Sequence, residues 1–208
     1  MTSTPGASAP AVRERPPRAR GDLGTMATMG TQYGAIVHGR RGDTDVTSTV
    51  EARSVEGGRS VALIAVQGTL ATPSLESVKG ALAGVTRVTE GAAATLAKAA
   101  PPPPYASGVA VVLLFADVAH VAAHGGARCY RERGGVLEEL AAGVHDAQPG
   151  DAFVAASHAG LQVGRAFFTT ASRAATDAEF RNNALDAALE AALAPYSTFV
   201  AVAAARLP

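Results

Sequence analysis

The stretch Gln148-Pro149-Gly150-Asp151-Ala152-Phe153-Val154-Ala155-Ala156-Ser157-His158-Ala159 carries the main clue to the fold. Asp151 to Ser157 reads as a strand. Upstream, Gly108 to Ala116, Val118 to His124 and Ala127 to Arg133 read as three further strands, and Gly134-Gly135 turns the chain into Val136 to Leu140. Antiparallel hairpins are expected to explain that spacing, with Asp117 as a hairpin residue. Earlier still, Tyr33 to His38, Thr47 to Val55 and Val61 to Val66 are strand-like, with Gly57-Gly58 as a hairpin signal. Ser74 to Ala99 reads as two helical segments. The first is expected to be capped by Ser74 or Thr72, the pair is loosened at Gly84 or Gly91, and Pro101 to Pro104 ends helicity as a stiff spacer. Asp177 to Ala194 is a long amphipathic helix with Phe180, Leu185, Leu189 and Leu193 inward, and Phe199 to Ala205 closes the chain as a strand. This order predicts an α+β sandwich of two antiparallel sheets flanked by helices.

Composition narrows the function. The chain has 208 residues, enough for one well-buried domain, and its 48% hydrophobic content is alanine-heavy, with 5% aromatics and no tryptophan. The expected core is made of small and β-branched side chains. Formal net charge is zero and no basic strip is interleaved with aromatics, which disfavours nucleic acid. No run approaches the ~20 apolar residues that cross a bilayer, so no membrane association is expected. The single cysteine fits a reducing compartment and a cytoplasmic location. Residues 1–30 form a Pro/Arg-rich leader, expected to be disordered and lacking the apolar stretch of a secretory signal, with Met26 and Met29 as alternative starts; residues 31–208 form the domain.

Three short pieces carry a resemblance. Gly125-Gly126-Ala127-Arg128, Gln148-Pro149-Gly150-Asp151 and Ala156-Ser157-His158-Ala159 are similar, in that order, to Gly-Asp-Ser-Arg, Leu-x-Pro-Gly-Asp and Cys-Ser-Asp-Gly. Those are motifs of the PPM family, the metal-dependent type 2C serine/threonine protein phosphatases. Gly39-Arg40-Arg41-Gly42-Asp43-Thr44-Asp45 resembles the family's opening motif, with Arg40 and Asp45 at its spacing. Ala62 to Gly68 resembles the strand that leads into Asp-Gly-Met-Gly-Gly, and Ser197 to Val202 resembles Asp-Asn followed by a strand. The match runs over roughly Thr31 to Leu207. Within it Arg40, Asp45, Arg128 and Asp151 agree, whereas Gln67, Gly126, His158 and Ser197 stand where the family has acids.

The resemblance implies the sandwich fold, metal positions at Asp45, Gln67, His158 and Ser197, and a phosphate contact at Arg40. A two-metal centre holds cations about 3.5–4 Å apart and relies on carboxylates to offset their repulsion. Gln67 donates an oxygen but no charge, and His158 without neighbouring ligands suits no hard cation. Asp43 and Asp45, two apart, would share one face of an extended strand and hold at most a single Mn²⁺ or Mg²⁺ weakly; otherwise they are acids of an exposed turn. Arg40 and Arg41 can grip phosphate without metal or form a solvated basic turn. Cys129 reads as a small buried hydrophobe, Arg128 as a tie to hairpin backbone, and His120 and His124 as sheet-surface histidines. No nucleophile elbow, Walker loop or dinucleotide fingerprint is present.

The expectation is therefore a degenerate PPM-like domain, a pseudophosphatase that binds a protein partner such as a serine/threonine kinase or a phosphoprotein and needs no cofactor. The alternatives are a divergent metal-dependent serine/threonine phosphatase with a reduced site and a structural or oligomerisation domain.

Overall fold

Two apolar runs, Val61–Val66 and Val109–Leu114, are buried along their whole length, because each is covered on both faces. The computed structural model describes residues 32–38, 44–100, 108–158 and 200–208. Its elements are β1 (Gln32–His38), β2 (Asp45–Val55), β3 (Gly58–Gly68), α1 (Ala71–Ala83), α2 (Ala92–Lys98), β4 (Gly108–Phe115), β5 (Val118–Gly125), β6 (Arg128–Arg133), β7 (Val136–Leu140), β8 (Gly143–Asp146), β9 (Ala152–Ala156) and β10 (Val200–Arg206). The strands form two antiparallel five-stranded sheets, one ordered β1-β10-β9-β6-β7 and the other β2-β3-β4-β5-β8. The α+β sandwich expected from the element order is the fold observed.

Alternation along β3 and β4 divides their side chains between two cores. Val61, Leu63, Ala65, Ala110, Val112 and Leu114 face the opposite sheet and meet Cys129, Phe153, Ala155, Ala201, Ala203 and Ala205. Ala62, Ile64, Val66, Val109, Val111 and Leu113 face outward against the helices. On α1, Ala71, Ser74, Leu75, Val78 and Leu82 form the buried stripe, a helical repeat of three and four residues. Each large aliphatic side chain of this set contributes roughly 1.5–3 kcal/mol on burial.

Turn chemistry sets the register. Val55 pairs with Gly58, and the two residues between them, Glu56 at φ 54° and Gly57 at φ 77°, are both left-handed, the hairpin geometry that matches strand twist. Gly134 at φ 57° and Gly135 at φ 82° make the same connection from β6 to β7.

The structure corrects several expectations. α1 starts at Ala71 after Leu70, with no side-chain cap, so neither Ser74 nor Thr72 is its N-cap; Ser74 lies inside the first turn and its hydroxyl donates back to the Leu70 carbonyl at 2.6 Å. At the other end the Arg53 guanidinium reaches the carbonyls of Leu82 and Ala83, a cation on the negative end of the helix. β5 and β6 are not a hairpin: β5 pairs with β4 and β8, β6 with β7 and β9, and Gly126-Ala127 carries the chain from one sheet to the other. β8 was not anticipated. His120 is no surface histidine; it is 6% exposed on the helix-covered face, and the His124 Nε2 lies 3.2 Å from the Ala97 carbonyl of α2. The stretch Pro101–Pro104 and the helix expected over Asp177–Ala194 lie outside the described residues.

Candidate functional site

One end of the sandwich holds Asp45, Gln67 and His158, the described positions at which the resemblance implied metal ligands. There β2 begins at Asp45, whose register partner is Gly68 of β3, and the preceding Gln67 is opposite Gly108, the first residue of β4. Gly108 in turn is opposite Gly125, so the crossover Gly126-Ala127 starts at the same level. From the other sheet, β9 is followed by Ser157 and His158, and β10 enters through Val200 and Ala201.

The two sheets approach closely at this end. A Cβ on Gly108 would sit 2.5 Å from the Ser157 carbonyl oxygen and 3.1 Å from the Ala127 nitrogen, so only glycine fits between these backbones. Ser157, 1% exposed, pairs with Ala201 through backbone and side chain together: its N–H donates to the Ala201 carbonyl at 2.9 Å, and its Oγ accepts the Ala201 N–H at 2.9 Å. With its donor thus free, the hydroxyl points at Gln67 Oε1 across a 3.5 Å gap, a weak bond between the sheets. Gly126 leaves room for the neighbouring imidazole; a Cβ there would be 3.1 Å from His158 Nδ1. Gln67 therefore meets Ser157, and Gly126 lies against His158.

These residues do not fit a two-cation centre. Among the described residues no three His, Cys, Asp or Glu side chains come together as metal ligands. Gln67 presents a neutral oxygen to Ser157, and Gly126 has no donor. Arg40, Asp43 and Ser197 lie outside the described residues, while Asp45 is placed as the first residue of β2.

Asp151 belongs to the opposite end. Its carboxylate, 1% exposed, accepts Arg133 Nε at 2.7 Å and Nη2 at 2.6 Å, together with the Gln148 N–H at 2.9 Å. Burial pushes this carboxyl up, but the Arg133 fork and the Gln148 amide outweigh it and hold it below the usual carboxylate range. Asp146 joins in, bonded to Arg131 at 2.9 Å and paired with Arg133 at 2.9 Å. Sequence reasoning missed this network; its only visible sign was the alternating charge of Arg131-Glu132-Arg133. Arg128, as expected, binds backbone, donating to Gly125 O at 3.1 Å and Ala127 O at 2.7 Å, and it also pairs with Glu139 at 3.0 Å. Cys129 is fully buried in the inter-sheet core, and burial pushes its thiol up to about 12, which rules out a thiolate nucleophile near neutrality.

No family model matches the chain, and no curated protein matches it significantly in sequence. Solved structures do match. The catalytic domain of the serine/threonine protein phosphatase PstP in complex with two manganese ions superposes with a TM-score of 0.57 at 15% identity, over 85% of this chain and 97% of that one. The S. agalactiae serine/threonine phosphatase gives 0.58 at 12% identity, over 86% and 100%. The PP2C phosphatase domain of SpoIIE from Bacillus subtilis, solved with a fragment of its regulatory domain, gives 0.57 at 11% identity, over 85% of this chain and 63% of that one. Strand order, sheet pairing and these superpositions together establish that this chain has the fold of the PPM/PP2C serine/threonine phosphatase domains.

Proposed function

We propose that this chain is a catalytically inactive pseudophosphatase, a PPM-like domain that binds a protein or phosphoprotein partner in serine/threonine signalling. The observation that supports this reading is that Gln67, Gly126 and His158, three positions that the resemblance gives to acids, carry no carboxylate: Gln67 faces the Ser157 hydroxyl, and Gly126 makes room for the His158 imidazole. Without carboxylates at these three positions, the site has little charge to offset the repulsion of two divalent cations. A single Mn²⁺ or Mg²⁺ at Asp45 and Asp43, and a phosphate on Arg40, remain the routes by which a reduced site would act.

Purified protein, incubated with an aryl phosphate and a phosphothreonine peptide in Mn²⁺, Mg²⁺ or Zn²⁺, should show no turnover above an Asp45→Ala control. The same ions should leave its melting temperature unchanged, because a cation bound to the folded state raises it by mass action. Metal-dependent turnover abolished by Asp45→Ala would overturn the proposal in favour of a divergent phosphatase.

A further inference from the structure

At the end of the sandwich remote from Gln67, a cavity of about 340 Å³ opens between the sheets, within the size range of small-molecule sites. Val61, Leu114, Phe115 and Leu207 supply apolar walls, and Arg59 and Asp117 are the charged side chains of its lining, one of each sign. Register explains their proximity: Ser60 pairs with Phe115, so Arg59 just before the one and Asp117 just after the other lie at adjoining strand ends. Arg59 is oriented by Tyr33, donating from Nη2 to its hydroxyl at 3.0 Å with the guanidinium carbon 5.6 Å from the ring centroid. That leaves Nε and Nη1 as donors. Asp117 uses its backbone carbonyl to accept the Ala147 N–H at 2.7 Å, and its carboxylate has no partner among the described residues.

We propose that this cavity binds a free amino acid with a large apolar side chain. The ligand carboxylate meets the Arg59 guanidinium, its ammonium meets Asp117, and its side chain enters between the apolar walls. A zwitterion pairs with both Arg59 and Asp117, whereas a molecule with one charge gains only one of these contacts and leaves the other, exposed, group to water. The site lies apart from Gln67 and His158, and its existence does not depend on whether the domain hydrolyses phosphate.

The test uses the full chain with L-phenylalanine and L-leucine as probes, followed by melting temperature and by NMR of the Phe115 ring. Millimolar phenylalanine should raise the melting temperature and shift the Phe115 resonances. 3-Phenylpropionate and 2-phenylethylamine, each lacking one charge, should bind at least about tenfold more weakly, as should phenylalanine to Asp117→Asn and Arg59→Gln variants. No binding of either amino acid, or single-charge analogues binding as well as phenylalanine, would overturn the proposal. The analogue series decides on the unmodified chain even if a variant fails to fold.

Discussion

Replacing Ser157 with alanine tests whether this end of the sandwich is fastened by hydrogen bonds within the protein. The Ser157 hydroxyl accepts the buried Ala201 N–H at 2.9 Å and donates towards Gln67 Oε1 at 3.5 Å. The second contact is at the limit of a hydrogen bond and adds little. The first matters more, since both partners are buried, Ala201 at 0% and Ser157 at 1% exposure, and truncation leaves the amide with neither protein nor solvent to accept it. An orphaned buried donor costs about 1–3 kcal/mol. For a chain of this size each kcal/mol moves the melting temperature by about 2–4 °C, so the expected fall is about 2–12 °C. Thermal unfolding followed by circular dichroism reads the global effect, and hydrogen exchange at the Ala201 amide reads the local one. A melting temperature within 1 °C of the parent, with Ala201 exchange unchanged, would refute the reasoning.

Two further outcomes follow from the same contacts. Gly108→Ala places a Cβ 2.5 Å from the Ser157 carbonyl and 3.1 Å from the Ala127 nitrogen, both backbone atoms that cannot rotate aside; urea unfolding should show a loss of about 2 kcal/mol or more. Asp151→Asn should cost about 2–4 kcal/mol at pH 7, because the buried carboxylate gives up its charge-assisted bonds from Arg133. The Asp151 carboxyl is held low in the folded chain, so its contribution is complete above the unfolded value of about 3.9 and disappears as pH falls through the lower folded value. Urea midpoints measured from pH 7 down to pH 2 should therefore decline less steeply for Asp151→Asn than for the parent.

Much of this fold could be read from local pattern. Alternating or continuously apolar runs marked β1 to β7, β9 and β10, and Gly57-Gly58 and Gly134-Gly135 signalled two hairpins, the first of which turns one residue earlier than its signal, through Glu56-Gly57. Sheet membership was harder to read. Nothing in Val118–Gly125 or Arg128–Arg133 says that these neighbours belong to opposite sheets, because that choice is made by the pairing of β5 with β8 and of β6 with β9. β8 escaped notice because four residues with exposed Val144 carry little hydrophobic signal. At the cleft, motif order located Gln67, Gly126 and His158, yet their mutual packing depends on strand ends about 30 to 90 residues apart in sequence. The role of Ser157 emerged only from the bond to Ala201. The Arg133–Asp151 pair was hidden for the same reason: a guanidinium on β6 and a carboxylate before β9 meet only when those strands pair.

The alanine-rich interior gives the protein an uneven mutational tolerance. Ala201, Ala203 and Ala205 of β10, with Ala155 of β9, are fully buried between the sheets in one core with Leu63 and Val112 of the opposite sheet, so truncation has almost nothing to remove from the inward face of β10. Added methyl groups have nowhere to go, and each would force side chains off their rotamers at about 1–3 kcal/mol. Failure in this strand should come from side chains that grow, and alanine-to-valine changes, conservative on most scales, should be among the most damaging it can receive.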